Sequence, residues 1–318
     1  MRSAKFLRRL TVGIVGAIAA LAVISVAAAL GTWTTLAPLP APTEGLQAGV
    51  VGNQIIAAYG FTGGDTNLTR LYDIDSDSWS FGTPGPLPTR AEGAAATHGG
   101  QFYAVGGRSA GPLNDLDRYT PTTDTWVSLT SMPTPRRGLA VAVVGNALYA
   151  IGGSTGTAPC SGTPLATVER YDIETDTWST VAPLPSARAD LAAVAHGGDI
   201  YVFGGCMFSP ATVTNAVDAY DPVTDTWSTA PADMPTARSS MYGAAAKGNR
   251  LYVIGGQSNF VQLTTNEFYK VSADAWSTDT PMPSPQAEMG VVSHGGRIYT
   301  VGGGFQGVSS NANLAFKP

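Results

Sequence analysis

A chain of 318 residues that is 44% hydrophobic and only 13% charged carries enough apolar material for a large packed core. Its formal net charge of −5 understates its acidity, because Arg2, Lys5, Arg8 and Arg9 all lie before residue 10 and leave 14 basic against 23 acidic residues, a balance of −9. A surface of that sign repels phosphate backbones, and with no basic tract or RNA-binding signature to offset it, nucleic acid is not expected as a partner.

Taken in chain order, the first element is a leader. The basic residues up to Arg9 precede an uncharged apolar run, LTVGIVGAIAALAVISVAAAL, over Leu10 to Leu30, which ends in the small residues Ala27-Ala28-Ala29. This pattern reads as a signal peptide over residues 1–29. The run has 21 residues, long enough to cross a bilayer, so an uncleaved signal-anchor helix is the alternative. Cleavage is favoured because Trp33 already belongs to the folded domain and an uncut helix would leave almost no linker. The flanks of Arg8-Arg9 match a twin-arginine signal only weakly. Both readings place residues 30–318 outside the cytoplasm, either secreted or periplasmic, or held at the membrane by the N-terminal helix.

Everything after the leader is periodic. All six tryptophans, Trp33, Trp79, Trp126, Trp178, Trp227 and Trp276, fall in one series with spacings of 46, 47, 52, 49 and 49. Five of them end a related phrase: YDIDSDSW, YTPTTDTW, YDIETDTW, YDPVTDTW and YKVSADAW. A second phrase recurs as FYAVGG (102–107), LYAIGG (148–153), IYVFGG (200–205), LYVIGG (251–256) and IYTVGG (298–303), with a degenerate copy IIAAYG (55–60). Turns such as Gly52-Asn53, Gly99-Gly100 and Gly145-Asn146 suit the positive φ of tight hairpins. Each period therefore predicts four short antiparallel strands, A to D, and six periods predict an all-β, six-bladed propeller. YDIDSDSW looks superficially like a calcium loop, but it lacks the central Gly and the late Glu and reads as a C–D turn.

The Gly-Gly pair, the Tyr twelve or more residues later and the Trp seven beyond it resemble the kelch repeat over residues 33–318. The resemblance implies the propeller fold and leaves the task open. Trp33 begins a strand D with no A, B or C before it, whereas the sixth copy ends after its C-like NANLAFKP, where Phe316 stands for Tyr. The N-terminal strand is thus expected to complete the last blade and close the ring, hiding both edges and leaving a monomer. The repeated tryptophans are expected to pack between blades.

Alternation of strands puts the D–A and B–C loops on one face. Arg90, Arg136, Arg188 and Arg238 recur in the D–A loops, with Thr43 and Gln286 at the same position in blades one and six. Those arginines, with Gln286, are the candidate ligand-binding residues, able to grip a carboxylate or acidic peptide. Kelch propellers that recognise acidic degrons use comparable loop arginines, so the resemblance supports this face. Otherwise each Arg packs on its own blade and pairs with Glu44, Glu92 or Asp190. Arg108, Met207, Phe208, Phe260 and Phe305 in the B–C loops are candidates for added contact surface. The longest B–C loops, in blades three and four, hold the two cysteines, and a Cys160–Cys206 disulfide is expected in an exported protein. His98, His196 and His294 recur at the A–B turns of alternate blades on the opposite face, where they diverge and read as a trace of duplication. No metal or cofactor is expected.

The reading that requires least is a non-catalytic binding module for an extracellular protein or glycan. The alternative is an enzyme. Galactose oxidase is similar in blade type, but its copper site needs Tyr and His ligands with a Cys–Tyr crosslink, and every His here is far from both cysteines. Sialic acid mutarotases are similar in being exported six-bladed kelch propellers. That resemblance would cast the arginines as sugar-acid ligands and Glu44, Glu92 or Asp190 as acid–base groups.

Overall fold

The computed structural model describes residues 30–158, 160–208, 211–305 and 307–318, the side chains of Phe208, Ala211 and Phe305 excepted. The leader at 1–29 lies outside the described residues. Six four-stranded antiparallel sheets stand around one axis. In blade 1 the strands are Gln47–Val51, Gln54–Ala58, Thr69–Asp73 and Ser78–Gly82, running A to D from axis to rim. Blade 2 follows with Ala94–His98, Gln101–Arg108, Pro112–Thr120 and Thr125–Ser128, and blade 3 with Ala140–Val144, Ala147–Ile151, Val168–Asp172 and Thr177–Val181. Blade 4 comprises Ala192–His196, Asp199–Phe203, Val217–Asp221 and Thr226–Ser228, and blade 5 Ala245–Lys247, Arg250–Ile254, Asn266–Lys270 and Ala275–Thr278. Blade 6 takes Gly290–His294, Arg297–Val301 and Asn313–Lys317 from the C-terminus and Thr32–Thr35 from the N-terminus. The closure pairs Trp33 with Phe316 and Thr34 with Ala315.

The core lies between blades. One cluster joins Leu46, Ile55, Ala57 and Tyr72 of blade 1 to Val292, Tyr299, Val301 and Ala315 of blade 6, and the same stacking recurs around the ring. Small A strands rich in alanine let six sheets converge without collision. The tryptophans are half-buried and act through their indole N–H as much as through area.

Each repeated Tyr, Asp and Trp grips the preceding blade at one residue. Trp79 Nε1–H donates to the Ala37 carbonyl at 2.9 Å, while Ala37 N–H donates to Asp77 Oδ1 at 2.7 Å. The Tyr72 hydroxyl donates to the same aspartate oxygen at 2.6 Å. The clamp repeats on Thr83 through Trp126, Asp124 and Tyr119, and on Thr130 through Trp178, Asp176 and Tyr171. It recurs on Ala182 through Trp227, Asp225 and Tyr220, and on Ala232 through Trp276, Asp274 and Tyr269. The tyrosine hydroxyls hold the carboxyls of Asp124, Asp225 and Asp274 below the usual carboxylate range. At the closure, where Phe316 replaces Tyr, Trp33 still bonds the Thr280 carbonyl, but the aspartate sits on the other partner: Gly31 N–H donates to Asp279 Oδ1 at 2.8 Å.

The Gly-Gly pairs mark a second inter-blade contact. A Cβ on Gly152 would lie 2.6 Å from the Arg188 carbonyl, and the φ of +60° is itself unfavourable to other residues. Blade 1 departs from this: Tyr59 takes the position at φ 57°, and the Arg90 guanidinium stacks over its ring at 4.0 Å.

Candidate functional site

Six residues preceding the A strands share the left-handed conformation: Gly45, Glu92, Gly138, Asp190, Ser240 and Glu288, with φ between 53° and 60°. Their backbones join into a hoop around the axis. Glu92 N–H donates to the Gly45 carbonyl at 2.8 Å, Gly138 to Glu92 at 2.9 Å, Asp190 to Gly138 at 2.7 Å, Glu288 to Ser240 at 2.9 Å and Gly45 to Glu288 at 2.9 Å. Met241 N–H supplies the sixth link to the Asp190 carbonyl at 3.4 Å. Outside the hoop, Glu44, Ala91, Arg137, Ala189, Ser239 and Ala287 bridge to the residue after each glycine pair, namely Phe61, Arg108, Ser154, Cys206, Gln257 and Gly304. D–A and B–C loops are therefore stitched into one mouth.

The side chains of this mouth form a charged network across five blades. Arg137 contacts Glu92 and bonds Asp190 Oδ1 at 2.7 Å, so it links blades 2, 3 and 4. Arg108 reaches Glu92 at 3.0 Å and Asp65 at 3.2 Å. The Tyr242 hydroxyl lies 3.3 Å from both Asp190 Oδ1 and Arg137 Nη2. Tyr242 occupies a position that is Gln47, Ala94, Ala140, Ala192 or Gly290 in the other blades, and it lines, among mainly small A-strand residues, an axial channel of about 460 Å³. Five carboxylates, those of Glu44, Asp65, Glu92, Asp190 and Glu288, face two guanidinium groups, those of Arg108 and Arg137. Burial pushes the Glu288 carboxyl up to about 8, with Glu92, Glu44 and Asp190 adding repulsion and Arg137 opposing. Burial likewise raises Glu44, helped by Glu92, and raises Glu92 against the pull of Arg137 and Arg108. Enclosure also lifts the Tyr242 phenol well above its ordinary value, so it stays a neutral donor.

The arginines expected at the mouth are elsewhere. Arg90, Arg136, Arg188 and Arg238 are at most 1% exposed and point into their own blades. Arg90 pairs with Asp117 at 2.7 Å, Arg136 with Glu169 at 2.7 Å, Arg188 with Asp218 at 2.6 Å, and Arg238 with Glu267. Arg136 also donates to the carbonyls of Gly152, Thr167 and Ala150. Their partners are strand C acids, and Glu92 and Asp190 are taken by Arg137 instead. Gln286 is buried and bonds Ser310 Oγ. Burial explains the correction: a guanidinium in a blade interior needs a carboxylate within its own blade. The pairing left a sequence signal, because the residue two before the repeated Tyr is acidic in the four blades that carry Arg and is Arg70 or Leu314 in the two with Thr43 or Gln286.

The B–C loops of blades 4, 5 and 6 rise as hairpins, Cys206–Phe208 with Ala211–Val213, Gln257–Ser258 with Val261–Gln262, and Gly304–Phe305 with Val308–Ser309. Cys160 and Cys206 form the expected disulfide, with Cα atoms 5.5 Å apart. Phe260 is 82% exposed, Met207 half-buried, and Arg108 absorbed in the mouth network. His98, His196 and His294 stand at three A–B turns on the far face, and among the described residues they form no ligating group.

The comparisons define the class. The profile of the KLHDC2/KLHL20/DRC7 Kelch-repeats domain matches residues 30–184 and again 131–303. This chain belongs to the kelch-repeat family. Beta-scruin of Limulus polyphemus is 31% identical over 49% of this chain and 18% of that protein. Human Kelch-like protein 25 is 29% identical over 76% of this chain and 42% of its own length. The Kelch-like protein terF of Aspergillus terreus is 26% identical over 86% and 52%. The chain thus spans about half or less of these relatives. The solved structure of YjhT shares the fold, with a TM-score of 0.76 at 17% identity over 88% of this chain and 96% of that one.

Replacing Arg136 with Met strands the buried Glu169 carboxylate and should cost about 3–5 kcal/mol in urea unfolding. The double change Arg136→Met and Glu169→Met should recover most of that loss.

Proposed function

We propose that this propeller is a non-catalytic binding module that takes a protein ligand on the face built from D–A and B–C loops, outside the cytoplasm. The observation that carries it is the apolar display on the hairpins: Phe260, Val261 and Val308 are 82%, 63% and 69% exposed beside the acidic mouth. Asn259 and Phe260 form the turn of their hairpin at φ 49° and 63°, a conformation that glycine usually fills. A bulky aromatic held there adds nothing to the core, and strain of this kind gathers at surfaces kept for binding. Kelch relatives support a protein-interaction role, and the cystine between neighbouring blades supports an oxidising compartment. The surplus of carboxylates favours a ligand segment that joins a basic group to an apolar one, the reverse of an acidic peptide. Ring closure pairs both terminal strands and leaves only the short rim strands as sheet edges, which supports a monomer.

Peptide libraries displayed against residues 30–318 should enrich Lys or Arg next to an aliphatic or aromatic residue, and Phe260→Ser should weaken the selected peptides by about tenfold or more at unchanged Tm. Enrichment of acidic peptides, or binding indifferent to Phe260, contradicts the proposal.

A second reading, a sugar-acid mutarotase, is favoured by one observation: the Glu288 carboxyl, raised to about 8, is suited to proton transfer near neutrality. Arg108, partly exposed at the mouth, would then receive the sugar carboxylate. If protonated Glu288 is the acid, anomer exchange followed by NMR should slow as pH rises through about 8 and vanish in Glu288→Gln. Exchange at the spontaneous rate at every pH would leave the binding module alone.

A further inference from the structure

We propose that Cys160, Cys206 and Asp190 constitute one site with two states: a closed disulfide and, after reduction, a thiolate–carboxylate site for a single thiophilic divalent cation of the zinc type. The two sulfurs and a carboxylate oxygen of Asp190 all lie within 4.8 Å of one another. Cys206 is 1% and Asp190 0% exposed, while Cys160 is half-buried and opens the site toward solvent.

What makes the reduced state a site is that its frame does not depend on the sulfur–sulfur bond. Cys160 N–H donates to Asp190 Oδ2 at 2.8 Å. Cys206 N–H donates to the Ala189 carbonyl at 2.7 Å, and Ala189 N–H returns a bond at 3.1 Å. Both cysteine backbones are therefore tied to residues 189 and 190, and Asp190 is itself a member of the hoop. A tetrahedral zinc with bonds of about 2.3 Å to each sulfur needs the sulfurs about 3.8 Å apart. Side-chain rotation can supply that separation across Cα atoms 5.5 Å apart.

Charge and outer contacts fit the same cation. Two thiolates and one carboxylate carry three negative charges, of which a dication neutralises two, while Arg137, shared with Glu92, offsets the carboxylate of Asp190. Arg137 and Tyr242 fix the Asp190 carboxylate from behind, as outer partners of metal ligands do. Ser239 Oγ, 3.9 Å from Cys160 Sγ, borders a small cavity of about 60 Å³ beside Cys160, with room for a water in the fourth position. The chemistry balances with a dithiol reductant: it delivers two electrons and two protons to the cystine and becomes a cyclic disulfide itself, and metal binding then releases the two thiol protons.

The test reduces residues 30–318 with a dithiol, removes the reductant without air and titrates cobalt(II), whose tetrahedral thiolate complexes absorb visibly. One equivalent should develop thiolate-to-cobalt absorption, zinc should bleach it stoichiometrically, and near-ultraviolet circular dichroism should stay native. The oxidised protein and Cys206→Ser should show no band, and Asp190→Asn should weaken cobalt by about tenfold or more. A reduced, folded protein with two titratable thiols and no cobalt band overturns the proposal, as does a band that survives Cys206→Ser. Loss of the native circular dichroism on reduction overturns it too, because the frame would then depend on the disulfide.

Discussion

The structure depends on one repeated grip, in which a single residue at the end of a blade has its N–H held by an aspartate and its C=O held by a tryptophan of the next blade. Both backbone groups leave the sheet ladder there and would otherwise face water or go unpaired. The tyrosine hydroxyl orients the aspartate, so three side chains from one repeat fix the angle between two sheets. Near the axis the left-handed hoop does the same work with backbone alone. The two rings, one at the rim and one at the neck, hold the blades as staves between two bands. The A strands around the axis can then be built from alanine and valine, while Leu, Ile, Tyr and Phe fill the space between blades.

This arrangement sets where function can lie. The rim clamps commit the repeated tyrosine, aspartate and tryptophan to holding neighbouring blades together. The blade interiors absorb four arginines and their acids. What remains unabsorbed is the mouth, where the hoop needs only a backbone conformation and lets its side chains vary. There Glu92, Asp190 and Glu288 stand beside Gly45 and Gly138, and Arg137 and Tyr242 cross between blades to partner them. The excess of carboxylates gives this mouth a polarity opposite to a site for acidic ligands, and the hairpins of blades 4 to 6 raise apolar groups beside it.

Much of this was legible in the sequence. The tryptophan period, the glycine pairs and the orphan strand at Trp33 specify six blades and their closure, because each is a local device with one geometric meaning. The Cys160–Cys206 pairing was legible from the placement of two long B–C loops in neighbouring blades. The direction of the arginines was not: a loop position says which residue recurs, while orientation depends on a partner in strand C. The co-occurrence of Arg90, Arg136, Arg188 and Arg238 with Asp117, Glu169, Asp218 and Glu267 carried that information inside the chain itself. The mouth network escaped for a different reason. Tyr242, Asp190 and Arg137 come from three blades, and Tyr242 matters because it alone is bulky at a position where its counterparts are mostly small.

If the blades are bound by two closed rings, none of them can open separately. Native-state hydrogen exchange at the hoop amides of Gly45, Glu92, Gly138, Asp190 and Glu288, which belong to five different blades, tests this most directly. The account predicts that all five exchange with one opening free energy, equal to that of global unfolding. Amides that open at separate, lower free energies, graded from blade to blade as in an open repeat array, would contradict it.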